Sequence, residues 1–187
     1  MANRGAWAIA IMFGIGLALA GGSVVYHSTQ GRKCLEFWGS RDGELIRHAK
    51  GVEAWLLADA AEEPKVGDAS EVITIDSQRR WIKRRLDLGN ARGLVHARHA
   101  LIMDANYDWS REVKAEDAIP ASAWTHAIRF SEGKEEVVLL FDFREHRVRR
   151  LDRLPGVSLA PTISAAEQAL LEREFGNAKA AALRPAS

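Results

Sequence analysis

The sequence has almost no cysteine, because Cys34 is the only one among 187 residues. A single thiol cannot form a disulfide within the chain, and a metal cluster held by several thiolates is excluded for the same reason. We interpret Cys34 as an inert thiol near a membrane, and pairing with a cysteine of another chain is the alternative. One thiol does not settle the redox compartment of the protein.

Neither sign of charge is in excess. Lys and Arg number 26 against 25 for Asp and Glu, which gives a formal net charge of +1. Net charge therefore gives no argument for nucleic acid, no such partner is predicted, and any basic site has to be local. Low-complexity tracts and long repeats are also missing. After the N-terminal segment, about 155 residues remain, which is enough for one ordinary domain.

The familiar catalytic motifs are missing as well. The sequence contains no nucleophile elbow, P-loop or GxGxxG fingerprint, so we predict no cofactor and do not favour catalysis. The remaining candidate for acid–base chemistry is Asp142-Phe143-Arg144-Glu145-His146, where two carboxyl groups lie near a histidine at a strand end. The alternative is that these residues form the exposed ion pairs or turn contacts that are usual at a hairpin tip.

What the sequence does contain is a charge-free stretch at residues 6–26. At about 1.5 Å per residue in a helix, this stretch would span the roughly 30 Å hydrocarbon core of a bilayer. Trp7 and Tyr26 lie at its two ends, where aromatic rings favour the headgroup region. We therefore predict that residues 1–26 contain a single transmembrane helix.

Small residues recur at every fourth position of this stretch, a pattern typical of close helix–helix packing in membranes. They are Ala6, Ala10, Gly14, Ala18 and Gly22. This stripe predicts packing against other membrane-protein subunits.

A cleaved signal peptide is the alternative interpretation of the same segment. Arg4 supplies a positive start, an apolar run follows, and Ala18-Leu19-Ala20 forms an A-x-A cleavage pattern before Gly21. The positive charges on the two sides of the segment do not fix its orientation. Because the N-terminus resembles a signal, we predict a bacterial membrane protein whose domain lies on the periplasmic side.

The rest of the chain predicts an α+β fold, with an antiparallel sheet of about four to six strands and helices packed on one face. We expect a linker at residues 27–39, the domain at 40–176 and a flexible tail at 177–187. The clearest element is a β-hairpin, in which WTHAIRF and EEVVLLFDF flank a turn at residues 131–134.

Other elements follow from hydrophobic periodicity and turn residues. Strands are predicted at residues 52–58, 71–75 and 147–151, and an amphipathic helix at 163–175. Residues 92–103 fit either a helix or a strand.

A basic helix is predicted after residue 75, capped by Asp76 or Ser77 and ending near Leu88. Its sequence SQRRWIKRRL places apolar residues on one side and four basic residues on the other: Arg79, Arg80, Lys83 and Arg84. Such a face would contact anionic lipid headgroups, at about 1 kcal/mol per basic residue, or an acidic partner. The alternative is a helix that packs on the sheet and leaves its charges in solvent.

Two histidines in His96-Ala97-Arg98-His99 are the candidate metal ligands. On a helix, His96 and His99 would face the same way with a spacing that Zn²⁺ accepts. A third ligand would come from Asp104, His126 or Asp142. On a strand the two histidines would point to opposite faces, and a shared metal is then not expected. The alternative is that both are structural or surface histidines.

The segments GLVHARHALI, HAIRF and EEVVLLFDF together resemble a group of uncharacterised bacterial envelope proteins. In that group a PRHG-like turn precedes a hairpin that ends in a C-F-E-C-like strand. The resemblance covers residues 93–151, and at the C-F-E-C positions this chain has Leu140-Phe141-Asp142-Phe143. It implies an envelope protein with a small α+β domain, without the thiol or metal role that the two cysteines would carry.

From these features we predict a non-catalytic accessory or adaptor subunit, anchored by one transmembrane helix. Its α+β domain is expected to dock on a larger membrane or envelope assembly. The alternative is a periplasmic domain, released by signal-peptide cleavage, that binds a small ligand or a metal.

Overall fold

The structure is a computed structural model that describes residues 7, 11–18, 21–22, 32–58, 71–113, 119–153 and 156–182. The strands are β1 (Gly51–Leu57), β2 (Val72–Ile75), β3 (Gln78–Asp87), β4 (Tyr107–Val113), β5 (His126–Glu132), β6 (Glu135–Asp142), β7 (Arg147–Arg150) and β8 (Gly156–Leu159). The helices after residue 31 are α1 (Arg32–Trp38), α2 (Ser40–His48), α3 (Leu94–Ala100) and α4 (Pro161–Ala182). Short 3₁₀ turns occupy Asp104–Asn106 and Ala121–Ala123.

The strands form one sheet of eight in the order β2-β3-β1-β5-β6-β7-β8-β4, and every neighbouring pair is antiparallel. The sheet is a half-barrel accompanied by the helices. The predicted hairpin is confirmed as β5 and β6, with His126 opposite Phe141 and Glu132 opposite Glu135.

Both faces of the central strands are buried. Along β6, Val137, Leu139 and Phe141 belong to the larger apolar core, in which α1, α2 and α4 also take part. Val138 and Leu140 point the other way, into a second core that contains Trp124 and residues of β1, β2 and β3. The uninterrupted apolar run of β6 follows from this arrangement, since successive side chains of a strand face opposite sides.

The predicted N-terminal transmembrane helix is wrong. Among the residues that the structure describes, no helix has the length and apolar character needed to cross a membrane.

The predicted small-residue stripe lies partly in this region. Gly14, Ala18 and Gly22 are helical. A Cβ atom placed on Gly14 or Gly22 would have no described atom within 4 Å. Ala6 and Ala10 lie outside the described residues.

The predicted basic helix is also wrong, because residues 78–87 form strand β3. Asp76 and Ser77 do not cap a helix but form a two-residue hairpin turn, so that Ile75 pairs with Gln78. Both turn residues have positive φ, 48° and 66°, as the primed hairpin turns require. β3 then continues past the hairpin and pairs with β1, with Leu86 opposite Ala54.

The backbone of Ser77 in this hairpin turn is strained, and a substitution can test this. Ser77 has a Cβ atom at φ 66°, a conformation that glycine adopts without steric cost. Ser77→Gly would also create Asp-Gly, a favoured sequence for this turn, and we expect it to stabilise the fold by about 0.5 kcal/mol in urea unfolding. The matched reverse change is Gly133→Ala at φ 62°, which should destabilise. A loss of stability in Ser77→Gly would contradict this assignment.

Three further helices can be compared with the predictions. Residues 32–38, in the predicted linker, form α1, and the ambiguous stretch around residue 96 is helix α3. The predicted amphipathic helix is confirmed as α4, which continues to Ala182 and thus into the predicted tail.

Candidate functional site

A groove of about 360 Å³ lies between α3 and α4. Gly93 precedes α3 with φ 98°, and Pro161 starts α4, where proline suits the first helical turn. The lining is largely apolar and includes Ala97, Ile163 and Leu170. Four polar residues complete it: Arg92, His96, Glu167 and Arg173.

Glu167 is the unusual member of this groove. It is 2% exposed, and its Oε2 atom is buried without a hydrogen-bond partner among the described residues. Burial raises the pKa of the Glu167 carboxyl from 4.5 to about 7, because removal from water penalises the charged form. A buried carboxyl that titrates near neutral pH beside a cavity is typical of functional sites.

A second orphan polar atom lies one turn earlier on α4. Ser164 is 1% exposed, and its Oγ atom also lacks a hydrogen-bond partner among the described residues. Residues three apart lie on the same side of a helix, so Ser164 and Glu167 face the same interior region. Buried polar groups are nearly always paired, so two unpaired polar atoms on one side of α4 are an exception within the described residues.

A hydrogen-bonded cluster around Tyr107 lies within electrostatic range of Glu167. The Tyr107 hydroxyl donates to the Leu101 carbonyl at 2.6 Å, and Trp38 Nε1 donates to the same oxygen at 3.0 Å. Burial raises the pKa of Tyr107 well above its usual value, with a further contribution from the negative charge of Glu167. The Tyr107 hydroxyl therefore stays protonated and already has an acceptor.

Cys34 is buried in the larger apolar core, near Tyr107. Its backbone N–H donates to Asp104 Oδ1 at 2.7 Å, and the backbone N–H of Lys33 donates to Asp104 Oδ2 at 3.1 Å, so the Asp104 side chain caps the first turn of α1. Burial, reinforced by Asp104, raises the pKa of the Cys34 thiol far above its usual range. The thiol stays neutral and enclosed, which makes it a poor nucleophile and metal ligand.

Two arginines lie at the mouth of the groove. Arg173 donates to the Arg92 carbonyl through Nη2 and pairs with Glu174 through Nε at 2.9 Å. The Arg173 charge is thus partly neutralised, whereas the Arg92 side chain is exposed. His96 is exposed at the same mouth.

The two predicted metal ligands, His96 and His99, are both on α3 but line different grooves. His99 lines a second groove beside Arg98, which donates to the carbonyls of Arg47 and Ala49. Within the described ranges, no three His, Cys, Asp or Glu side chains are grouped closely enough to hold a metal ion. A metal on His96 and His99 stays a prediction, without a third ligand in that part of the chain.

The four residues of the predicted anionic-surface contact are not on one face. Arg79 lies over the Trp81 ring, with 5.6 Å to its centroid, and Lys83 is exposed. Arg80 is buried and donates to the carbonyl oxygens of Ala121, Ala58 and Trp124. Arg84 donates to the Phe175 carbonyl at 3.0 Å and so ties β3 to α4. The pairing of β3 with β1 is irregular between Ile82 and Arg84, and Arg80 and Arg84 contact residues of different cores. The four residues therefore do not form the continuous basic surface expected of a helix.

The acid–base candidate at residues 142–146 forms a turn. Asp142 is buried, and its Oδ1 accepts the backbone N–H groups of Arg144 at 3.2 Å and Glu145 at 3.3 Å. These contacts match the turn interpretation.

Comparison with known proteins adds no relative. The sequence matches no protein-family model, and no curated protein or solved structure is significantly similar to it. The resemblance to bacterial envelope proteins stays a prediction.

Proposed function

We propose that this domain binds a small organic amine with an apolar body in the groove between α3 and α4. The ammonium group would pair with the Glu167 carboxylate, and the apolar body would lie against Ala97, Ile163 and Leu170. The observation that carries the proposal is the buried Glu167 carboxyl, whose Oε2 has no partner in the described part of the chain although it adjoins an apolar groove.

The size of the groove supports a small ligand. Its volume of about 360 Å³ lies at the lower end of the range for ligand pockets, roughly 300–1,000 Å³. Such pockets combine apolar walls with a few polar groups that fix the orientation of the ligand. Here the apolar residues supply the walls, and Glu167 supplies the buried anchor.

The charge of Glu167 supports a cationic group on the ligand. A carboxylate buried without a partner is costly, and the cost falls when a cation pairs with it. An ammonium donor would satisfy the orphan oxygen and make a charge-assisted hydrogen bond, which is about twice as strong as a neutral one. The exposed Arg92 at the mouth would disfavour a second cationic group and favour a carboxylate at the outer end of the ligand.

The proposal predicts proton release on binding. At pH 7 a carboxyl with a pKa of about 7 is about half protonated, so pairing with an ammonium group should release about half a proton per ligand. We would titrate 2-phenylethylammonium into the full chain by calorimetry at pH 7, in two buffers with different ionisation enthalpies. The neutral analogue 2-phenylethanol and the amino acid phenylalanine, which adds a carboxylate, complete the series.

Glu167→Gln keeps the size of the side chain but removes its charge. We expect it to weaken amine binding at least about tenfold, as a lost charge-assisted hydrogen bond does, and to abolish proton release. Glu172→Gln is the matched control, because Glu172 is exposed on the same helix and bonded to Gln168 at 2.8 Å. Equal affinity for 2-phenylethylammonium and 2-phenylethanol, or unchanged amine binding in Glu167→Gln, would contradict the proposal.

An accessory or adaptor role, other membrane-protein subunits as partners and a periplasmic location stay predictions. Ligand binding in the α3–α4 groove is compatible with each of them and depends on none.

A further inference from the structure

The opposite flank of α3 forms a second groove, with a volume of about 440 Å³. Four basic or imidazole side chains line it, and no acidic side chain of the described residues does: Arg47, His48, Arg98 and His99. Leu94 and Ile102 are buried members of its wall. The groove thus combines a sheltered wall with a concentration of positive charge and hydrogen-bond donors.

Arg98 is the central cation of this groove. Its guanidinium lies over the Phe130 ring, 5.7 Å from the centroid, and donates to the carbonyl oxygens of Arg47 and Ala49 at the end of α2. The Nε atom is buried without a hydrogen-bond partner, and no carboxylate in the described ranges forms an ion pair with Arg98. Burial lowers the pKa of Arg98, which is the expected effect on a cation with no anionic neighbour.

Nearby carboxylates neutralise the groove only in part. Glu44 of α2 does not line it, but its carboxylate oxygens lie 3.5 Å from Arg47 Nη1 and 3.6 Å from His48 Nε2, so one carboxylate is shared between two of the four side chains. At the other end Asp87 accepts the backbone N–H of Gly89 at 2.8 Å. Arg98 and His99 lie on α3 and have no carboxylate partner among the described residues.

We propose that this second groove binds the oxyanion of a small phosphate compound. Four side chains that can donate hydrogen bonds line the groove from α2 and α3, which suits an anion with oxygen atoms in several directions better than a planar carboxylate. Arginine is preferred for phosphate recognition because its planar fork presents several N–H donors, and charge-assisted bonds to phosphate are the strong class. The site is independent of the amine groove, since it lies on the other flank of α3.

The direct probe is inorganic phosphate added to the full ¹⁵N-labelled chain. The ¹⁵N–¹H signal of Arg98 Nε should shift saturably with phosphate, and sodium chloride at equal ionic strength should leave it in place. Equal shifts with phosphate and chloride would overturn the proposal, because they would reflect screening alone.

Substitutions on α3 separate the two grooves. We expect at least tenfold weaker phosphate binding in Arg98→Gln and a threefold or greater loss in His99→Gln. His99 is exposed, and its side chain makes no hydrogen bond to the residues that the structure describes. If the loss of the Arg98 bonds to α2 prevents Arg98→Gln from folding, His99→Gln therefore remains the informative variant. His96→Gln, on the same helix but in the other groove, is the matched control. Unchanged phosphate binding in His99→Gln, or an equal loss in His96→Gln, would overturn the proposal.

The phosphate group has two chemical sources that the same site would accept, a soluble phosphate compound or a lipid headgroup. Sedimentation with phosphatidylglycerol vesicles distinguishes them, with phosphatidylcholine vesicles as reference. Saturation by inorganic phosphate without sedimentation supports a soluble ligand. Sedimentation with phosphatidylglycerol vesicles that is lost in His99→Gln supports a lipid headgroup. If the chain shows no saturable phosphate binding and no sedimentation, the proposed site is overturned.

Discussion

Glu167→Gln is expected to stabilise the protein by about 3 kcal/mol at pH 8 and to change its stability little at pH 4. In the folded protein, burial raises the pKa of Glu167 from 4.5 to about 7. Between those two values the folded state holds a proton that the unfolded state has released, so stability falls as the pH rises from 4.5 to 7. At about 1.4 kcal/mol per pKa unit, the loss above pH 7 amounts to about 3 kcal/mol. Glutamine resembles the protonated carboxyl and escapes this loss.

His126 contributes a pH dependence of stability opposite to that of Glu167, and the two contributions have to be distinguished. Burial lowers its pKa, partly offset by Glu172, and its ring lies 5.3 Å from Phe143 and 6.2 Å from Phe175. The unfolded state therefore binds a proton first, and stability falls as the pH drops below about 6.5. Both proteins retain His126, so the difference between Glu167→Gln and the wild type isolates Glu167.

The measurement is urea unfolding at pH 4, 6 and 8, with the slope m checked for constancy. Only the difference in stability between variant and wild type is interpreted. Glu172→Gln, exposed on the same helix, should show no gain at pH 8. A pH-independent difference, or a lower stability of Glu167→Gln at pH 8, would show that Glu167 is ionised in the fold at no cost. The pairing proposed in the groove would then have no basis.

The β5–β6 hairpin illustrates what the sequence predicts well. Its turn residues are local, Gly133 takes the positive φ of 62° that glycine favours, and the apolar run of β6 reports burial on both faces. The same holds for α4, whose apolar positions recur at helical spacing.

Strand β3 shows where local signals fail. The sequence QRRWIKRRLD has basic residues at helical spacing, and Asp-Ser is not a typical two-residue hairpin turn, so helix was the natural interpretation. The deciding contacts come from far along the chain: Leu86 pairs with Ala54 of β1, and Arg80 binds carbonyls near Trp124. Tertiary pairing overrides such local preferences.

The sequence contained one overlooked signal for the amine groove. Glu167 lies four residues after Ile163 and four before Leu171, so it occupies the apolar stripe of α4 rather than the solvent face. That position indicates a buried carboxyl. The raised pKa could not be predicted in this way, since it depends on how α3 and the Tyr107 cluster enclose the helix.

Asp76→Asn is expected to destabilise the protein by about 2 to 3 kcal/mol. Arg149 is 1% exposed, and its Nη1 and Nη2 atoms bind both carboxylate oxygens of Asp76 at 3.0 and 2.6 Å. The guanidinium also lies 4.9 Å from the centroid of the Trp124 ring in the second core. Removal of one partner from a buried pair leaves an uncompensated charge, which costs about 3–5 kcal/mol when both groups are buried. Since Asp76 is 38% exposed, water screens part of this penalty, and we expect about 2 to 3 kcal/mol instead.

Asparagine is the informative replacement because it keeps the size of the side chain and tolerates the positive φ of 48° at this turn. Asp152→Asn is the matched control: Asp152 is 64% exposed and pairs with Arg150 at 2.6 Å. Arg150 keeps Asp42 as a second carboxylate partner, so the loss of Asp152 leaves no unpaired charge and should cost only about 0–1 kcal/mol. Adding Arg149→Met to Asp76→Asn should recover part of the loss, since an apolar side chain carries no buried charge. If Asp76→Asn costs no more than Asp152→Asn in urea unfolding, the Asp76–Arg149 pair does not hold the β2–β3 turn against the second core.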